Sequence, residues 1–334
     1  MKQALFYKKK NDDILECYLC AHNCLIADSK TGLCGVRKNI EGVLYSLNYA
    51  KVVAAAIDPI EKKPLFHFLP KSLAYSIACV GCNFRCGFCQ NWQISQTKEI
   101  RGNCYNLTVE KIVKNAVDNK CSSIAYTYTE PTVYFEFAYD CCKLAKENKL
   151  SNVFVTNGYT GKSAIERIAP FLDAANIDLK SFSNDFYQKT CKASLAPVLD
   201  TITLMKQLGV WVEITTLIVP GLNDSSEELS DIASFIANLD KNIPWHISRF
   251  HPDYKFSQSE ATPLATLNRA FDIGKKKGLN FIYIGNIIAS NKQNTYCSNC
   301  RESLIERVGF SVVENNLEGD KCKYCSNLVA GIWE

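Results

Sequence analysis

Three cysteines constrain this chain more than any other feature. The stretch Cys82-Asn83-Phe84-Arg85-Cys86-Gly87-Phe88-Cys89 sets thiols at C-x3-C-x2-C spacing, directly after the apolar run Leu73 to Val80. That run reads as a short buried strand. Three thiols so spaced on a loop leaving a strand can converge on one metal site. Iron–sulfur clusters are held by cysteine thiolates, and a four-iron cluster needs four ligands. A fourth cysteine at the usual spacing is missing. By the logic that separates open catalytic metal sites from closed structural ones, three protein ligands leave one position for a substrate. The loop taken alone also admits a zinc site.

The 17 cysteines bear on the rest of the chain. Without an apolar signal segment at MKQALFYKKKNDD, and with C-x2-C spacings recurring, they point to metal binding in a reducing compartment rather than to disulfides. No run approaches the length of a membrane span, so a cytoplasmic protein with no membrane partner is expected. The balance of 38 basic against 34 acidic residues gives a net charge of +4, which argues neither for nor against nucleic acid, so such a partner is not indicated. With 334 residues, 47% of them apolar, the chain is long enough for one large domain with small appendages.

Two further cysteine sets flank the central one. Cys17, Cys20, Cys24 and Cys34 are spaced C-x2-C-x3-C-x9-C, with His22 inside as a supporting or surface residue. Four thiols in so short a segment make a closed site, either zinc or an auxiliary iron–sulfur cluster, and ligand softness does not choose between them. Cys297, Cys300, Cys322 and Cys325 form two C-x2-C pairs separated by 21 residues. These read as a zinc ribbon, with a single-iron site on the same ligands as the alternative. Arg301 and Ser326 stand where such knuckles often carry glycine. The remaining six, Cys79, Cys104, Cys121, Cys141, Cys142 and Cys191, follow no pattern and receive no role.

Between the flanking sets, strand-like and helix-like runs alternate. The expected strands are 74–80, 123–129, 152–157, 175–179, 211–219, 245–250 and 281–284, and amphipathic segments include 108–119, 133–148 and 226–239. Asn223-Asp224-Ser225-Ser226 before Glu227 and Glu228 marks a helix N-terminus. Such alternation predicts βαβ units and a parallel sheet, with chemistry at the C-terminal strand ends. Those ends are polar: the cysteine loop, Thr127-Tyr128-Thr129-Glu130-Pro131, Thr156-Asn157-Gly158, Asp178-Leu179-Lys180, Pro220-Gly221-Leu222-Asn223-Asp224 and Arg249-Phe250-His251-Pro252. Ahead of them, Asp58-Pro59-Ile60-Glu61-Lys62-Lys63-Pro64-Leu65-Phe66-His67-Phe68-Leu69-Pro70 reads as an extended surface segment. It is either a linker packed by Leu65, Phe66 and Phe68, or a substrate-side element offering His67 or Lys63. The expected divisions are a cysteine-rich segment over 1–50, that linker or substrate-side segment over 51–70, a barrel over 71–290 and a four-cysteine ribbon over 291–334.

CNFRCGFC resembles the CxxxCxφC signature of radical S-adenosylmethionine (SAM) enzymes, with Phe88 as the aromatic φ. The resemblance implies a partial (β/α)6 barrel. It also implies a [4Fe-4S] cluster on Cys82, Cys86 and Cys89 whose open iron is chelated by the amino and carboxylate groups of SAM. One electron, from reduced flavodoxin or ferredoxin, then cleaves SAM to methionine and a 5′-deoxyadenosyl radical. On the same match Glu130 would accept the SAM amino group, although Tyr128 and Thr129 replace the usual glycine pair. TNG and DLK look like strand ends of glycyl-radical-enzyme activases, which would place Asn157, Asp178 and Lys180 near the SAM ribose and carboxylate. Val155 stands where those activases carry an acid. His251 would lie on the ribose side, and Ile218 would offer apolar contact to adenine.

More narrowly, the N-terminal cysteine set, DPIEKKPLFHFLP, GCNFRCGFCQNWQISQ, YTYTEPT, YIGN and the C-terminal set resemble the radical SAM member of the AmmeMemoRadiSam system. Memo-like and AmmeCR-like proteins become candidate partners by that association. Activase likeness points to hydrogen abstraction from a protein or peptide. A small-molecule substrate, or a non-catalytic metal-binding or electron-carrier protein, are the alternatives, and likeness of fold does not decide among them.

Overall fold

A computed structural model describes residues 1–11, 13–97, 104–287 and 291–334. Its centre is a sheet in which seven parallel strands lie side by side in chain order: Leu73–Cys79, Ser123–Tyr126, Ser151–Thr156, Ala174–Asp178, Trp211–Ile218, Trp245–Arg249 and Ile282–Gly285. Strands buried on both faces need near-continuous apolar runs rather than alternation. The first strand and Ser123–Tyr126 meet this condition, with nearly every residue buried. Six α-helices, Val109–Asp118, Phe135–Glu147, Lys162–Ile168, Ala196–Gln207, Ser226–Asp240 and Leu264–Lys276, connect successive strands and cover the outer face. The expected helix start near 223–226 is capped by Ser225, whose side chain accepts from the Glu228 amide at 3.1 Å. Among the described residues no helix is long and apolar enough to cross a membrane.

Two expectations need correction. The Ser123 strand stops at Tyr126, short of Thr129, because Tyr128 takes a left-handed backbone (φ +63°) and the chain turns there. Residues 60–70 are neither a surface segment nor part of the mouth. Lys51–Pro59 is a strand paired antiparallel with Leu73–Cys79, so the sheet is mixed. The chain then passes under the opposite end of the strands. The Glu213 carboxylate accepts the amides of Phe66 and His67 at 3.0 and 2.8 Å, and Asn176 donates to the Pro64 carbonyl at 2.7 Å. Glu213 lies in the first half of its strand, and Asn176 pairs beside it in the neighbouring strand. His67 is fully buried there, donating from Nδ1 to the Ala330 carbonyl (2.7 Å) and accepting the Tyr283 hydroxyl at Nε2 (2.6 Å). Lys63 is buried against Asp58 at 2.6 Å. Their sequence neighbourhood to the cysteine loop misleads because a strand of seven residues separates the two ends.

The N-terminal residues form two small antiparallel sheets, one of Lys2–Gln3, Arg37–Ile40 and Val43–Ser46, the other of Tyr7–Lys9, Ile14–Cys17 and Cys24–Ala27. A buried ion pair between Arg37 and Glu136 at 2.5 Å ties them to the helix Phe135–Glu147. At the other terminus, strands 295–296, 303–308 and 311–315 and a hairpin of 317–318 with 321–322 carry the last four cysteines. The expected barrel limit at residue 290 lies outside the described residues.

Candidate active site

The cysteine loop leaves the C-terminal end of the first parallel strand through Gly81, at φ +107°. A Cβ at that position would come within 2.9 Å of Val36 and 3.2 Å of the Cys34 carbonyl, so only glycine fits the turn. Gly87 is equally tight, since a Cβ would strike the Phe256 ring at 2.4 Å. Residues 251–256 fold over the loop: the Lys255 amide donates to the Gly87 carbonyl at 3.1 Å, and Trp92 stacks on Tyr254 at 5.0 Å. His251, exposed at the mouth, accepts from the Gln90 amide at 2.8 Å.

Each of the three thiols has a polar neighbour suited to a thiolate. The Phe84 amide donates to Cys82 Sγ at 3.3 Å, with Asn157 Nδ2 at 3.7 Å. Cys89 Sγ lies 3.2 Å from the Ser95 hydroxyl, and Cys86 Sγ lies 3.5 Å from Cys191 Sγ. Burial pushes the Cys82 and Cys89 thiols up, and the Cys191 contact together with burial does so for Cys86. Three thiolates so buried are stabilised only by cationic charge close by, which is what an iron centre supplies. The donor set therefore fits a [4Fe-4S] cluster with one iron left without a protein thiolate.

Glu130 closes one side of the site. It is buried, and its Oε1 accepts the Thr132 amide (3.0 Å), the Thr132 hydroxyl (2.6 Å) and the Thr156 hydroxyl (2.8 Å). Its Oε2 accepts the Asn157 amide at 2.8 Å. Burial raises its carboxyl, against the lowering effect of those donors. It also caps the short helical turn Pro131–Tyr134, so it serves structure whatever else it does. Asn157 donates to the Asn83 side chain at 2.8 Å, linking the third strand end to the cysteine loop.

Asp178 and Lys180 form an ion pair at 2.8 Å, Asp178 about one-third exposed and Lys180 largely covered. Burial would pull the Lys180 ammonium down, but Asp178 and the Cys86 and Cys191 thiols push it well above its ordinary value. Lys180 Nζ stands 5.8 Å over the Phe88 ring, and Phe88 packs between Phe186 and Phe256. Ile218 differs from expectation. It is fully buried and pairs with Arg249, while the preceding Leu217 is partly exposed. Successive strand residues point to opposite faces, and Ile218 shares its face with the core residue Ile214.

Several residues here carried no sequence signal. Cys191 has no spacing partner, and Thr132 and Tyr254 contribute through contacts to Thr160 and Trp92, distant in the chain. Asn83 was visible inside the C-x3-C spacing, but its bridge to Asn157 spans 74 positions. The flanking sets also differ in geometry. All four C-terminal thiols lie within 4.8 Å of one another, with Cys297–Cys325 and Cys300–Cys322 each at 3.7 Å. A tetrahedral ion at roughly 2.3 Å from each sulfur requires sulfurs about 3.8 Å apart, so this set fits one zinc or iron ion. Arg301 and Ser326 take the left-handed backbone (φ +67° and +58°) that their knuckles require. The Cys17, Cys20, Cys24 and Cys34 thiols line one enclosed cavity beside Asn83.

A family model described as the radical SAM superfamily matches residues 76–236. An uncharacterized protein of Methanocaldococcus jannaschii is 46% identical over 332 residues, which span 98% of this chain and 99% of that protein. The pyruvate formate-lyase-activating enzyme of Clostridium pasteurianum is 28% identical over 202 residues, spanning 54% of this chain and 81% of the enzyme. Among solved structures, a radical SAM methyltransferase from Sphaerobacter thermophilus aligns with a TM-score of 0.51 at 17% identity, over 64% of this chain and 66% of that one. That likeness is one of fold.

Proposed function

Because this chain belongs to the radical SAM superfamily, we propose that Cys82, Cys86 and Cys89 hold the [4Fe-4S] cluster and that the surrounding strand ends bind SAM for hydrogen abstraction from a protein or peptide. When bound, the cluster and SAM supply one chemistry: a single electron splits SAM into methionine and a 5′-deoxyadenosyl radical. The chain's own residues bind and orient. Glu130 Oε2 keeps acceptor capacity for the SAM amino group, while Asn157 holds the Cys82 side of the loop. The Asp178–Lys180 pair and His251 take the ribose and carboxylate, and Phe88 with the 251–256 segment walls off water.

The observation that carries this reading is the convergence of the three-thiol loop with Glu130, Asn157, Asp178 and Lys180 at one end of one parallel sheet. Similarity to pyruvate formate-lyase-activating enzymes supports the activase-like choice of substrate and a reduced flavodoxin or ferredoxin as electron donor. The whole-chain motif pattern supports membership of the AmmeMemoRadiSam system, with Memo-like and AmmeCR-like partners. The C-terminal set takes zinc.

Anaerobically reconstituted protein tests the core claim. It should cleave SAM when reduced, and Cys82→Ala, Cys86→Ala and Cys89→Ala should each abolish cleavage. Wild-type yields of 5′-deoxyadenosine from any one of them would sink the assignment. Deuterium passing from a labelled partner protein into 5′-deoxyadenosine would identify a protein substrate, and its absence with a labelled small molecule active would reverse that choice.

A further inference from the structure

We propose that Cys17, Cys20, Cys24 and Cys34 hold a second iron–sulfur cluster, not a zinc ion. The four thiols line a cavity of about 20 Å³. That is room for a water-sized body. Four sulfurs drawn onto one zinc ion stand about 3.8 Å apart, touch one another and leave no such space. The C-terminal set shows that closed geometry, with sulfur pairs at 3.7 Å, so this chain contains both kinds of arrangement. An iron–sulfur cluster places inorganic sulfide and more than one iron between its thiolates and needs an opening there.

The wall of the cavity keeps that opening. Gly32 faces it without a side chain; a Cβ there would lie 3.6 Å from Cys24 Sγ and 3.2 Å from the tip of Ile26. Leu19 and Ile26 are buried, so apolar groups and sulfur form much of the lining, beside His22, Arg37 and Asn83. His22, despite its place in the motif, turns its Nε2 to the Asn83 carbonyl at 2.8 Å. The thiols are thus left as the ligands, four for one cluster, with no iron open to SAM.

The location favours a redox-active guest. Asn83 lines this cavity and is the residue that follows Cys82. The Cys34 carbonyl packs against Gly81, and the Arg85 guanidinium donates to the Leu33 carbonyl. The two cysteine loops therefore share a wall one residue thick. Zinc has no redox chemistry to use at such a place, and a cluster does.

The site stands apart from the SAM-binding reading, and its test removes the other cluster. The C82A/C86A/C89A triple variant, reconstituted anaerobically with ferrous iron and sulfide, should retain iron and sulfide in equal amounts. Its visible absorption should bleach on reduction, and adding Cys20→Ala and Cys34→Ala should remove both ions. A folded triple variant with no iron and about two zinc ions per chain would overturn the proposal. Should the triple variant not fold, the wild-type protein decides. About one zinc with six to eight iron atoms per chain is expected, and about two zinc with four iron atoms overturns the proposal.

Discussion

The thiol of Cys191, buried after the fourth parallel strand, lies 3.5 Å from that of Cys86, 105 positions earlier in the chain. With Cys86 ligating iron as a thiolate, Cys191 is left to donate its S–H. A donor to a cluster sulfur favours the reduced, more negative state. Cys191→Ala should leave the cluster intact and lower its potential. A hydrogen bond contributes about 1 kcal/mol, which for a one-electron couple is ~40 mV. Redox titration followed by electron paramagnetic resonance measures it, and an unchanged midpoint would show the contact to be packing alone.

Glu130 accepts three hydrogen bonds on Oε1 and one on Oε2. Glu130→Gln turns one of these acceptors into an NH2 group facing donors, so stability should fall by about 1–3 kcal/mol. Loss of the charge facing the SAM amino group should weaken SAM binding by about tenfold or more. Equilibrium titration of the reconstituted variant separates the two effects. Unchanged SAM affinity with an intact cluster spectrum would leave Glu130 only its capping role at Pro131.

Burial pulls the His67 imidazole down to about 4. Above the ordinary value near 6.5, both folded and unfolded chains carry it neutral. As pH falls from about 6.5 to about 4, the unfolded chain takes up a proton that the folded one refuses, so stability falls by about 3 kcal/mol. Below that range the group contributes no further loss. Denaturant midpoints across this range should therefore slope less in His67→Gln than in the wild type. Equal slopes would refute a buried neutral imidazole.

Ser326 and Arg301 are exposed residues held at positive φ in the two metal knuckles. The left-handed backbone costs an L-residue about 1–2 kcal/mol, and glycine's extra unfolded-state freedom costs about 0.5–1 kcal/mol. Ser326→Gly or Arg301→Gly should therefore stabilise the ribbon by about 0.5 kcal/mol and slow metal loss to a chelator. Cys297→Ala should do the reverse, since metal binding contributes directly to folding. Faster metal release from either glycine variant would contradict this account.

Much of this molecule is legible in one dimension because its determinants are local. Cys82, Cys86 and Cys89 are read by spacing alone, since eight consecutive positions on one loop can reach only one metal site. The parallel sheet shows itself in apolar runs such as Ala74–Val80, and the polar ends Glu130, Asn157 and Asp178 follow from the rule that such runs end at one mouth. What needed the tertiary structure was everything set by distance across the fold. Residues 60–70 lie close to the cysteine loop in the chain, yet the antiparallel strand before them carries them to the far end, where Glu213 and Tyr283 enclose His67. Cys191 reaches Cys86 only because parallel strands return to the same edge. Ile218 carries the right chemistry, but strand alternation turns it away from the mouth. The two four-cysteine sets look alike as spacings and differ as shapes, one closed to 3.7 Å between sulfurs and one holding a cavity. Spacing limits which thiols can meet; the packing of Gly32, Leu19 and Ile26 around them decides how far apart they stand, and so what fits between.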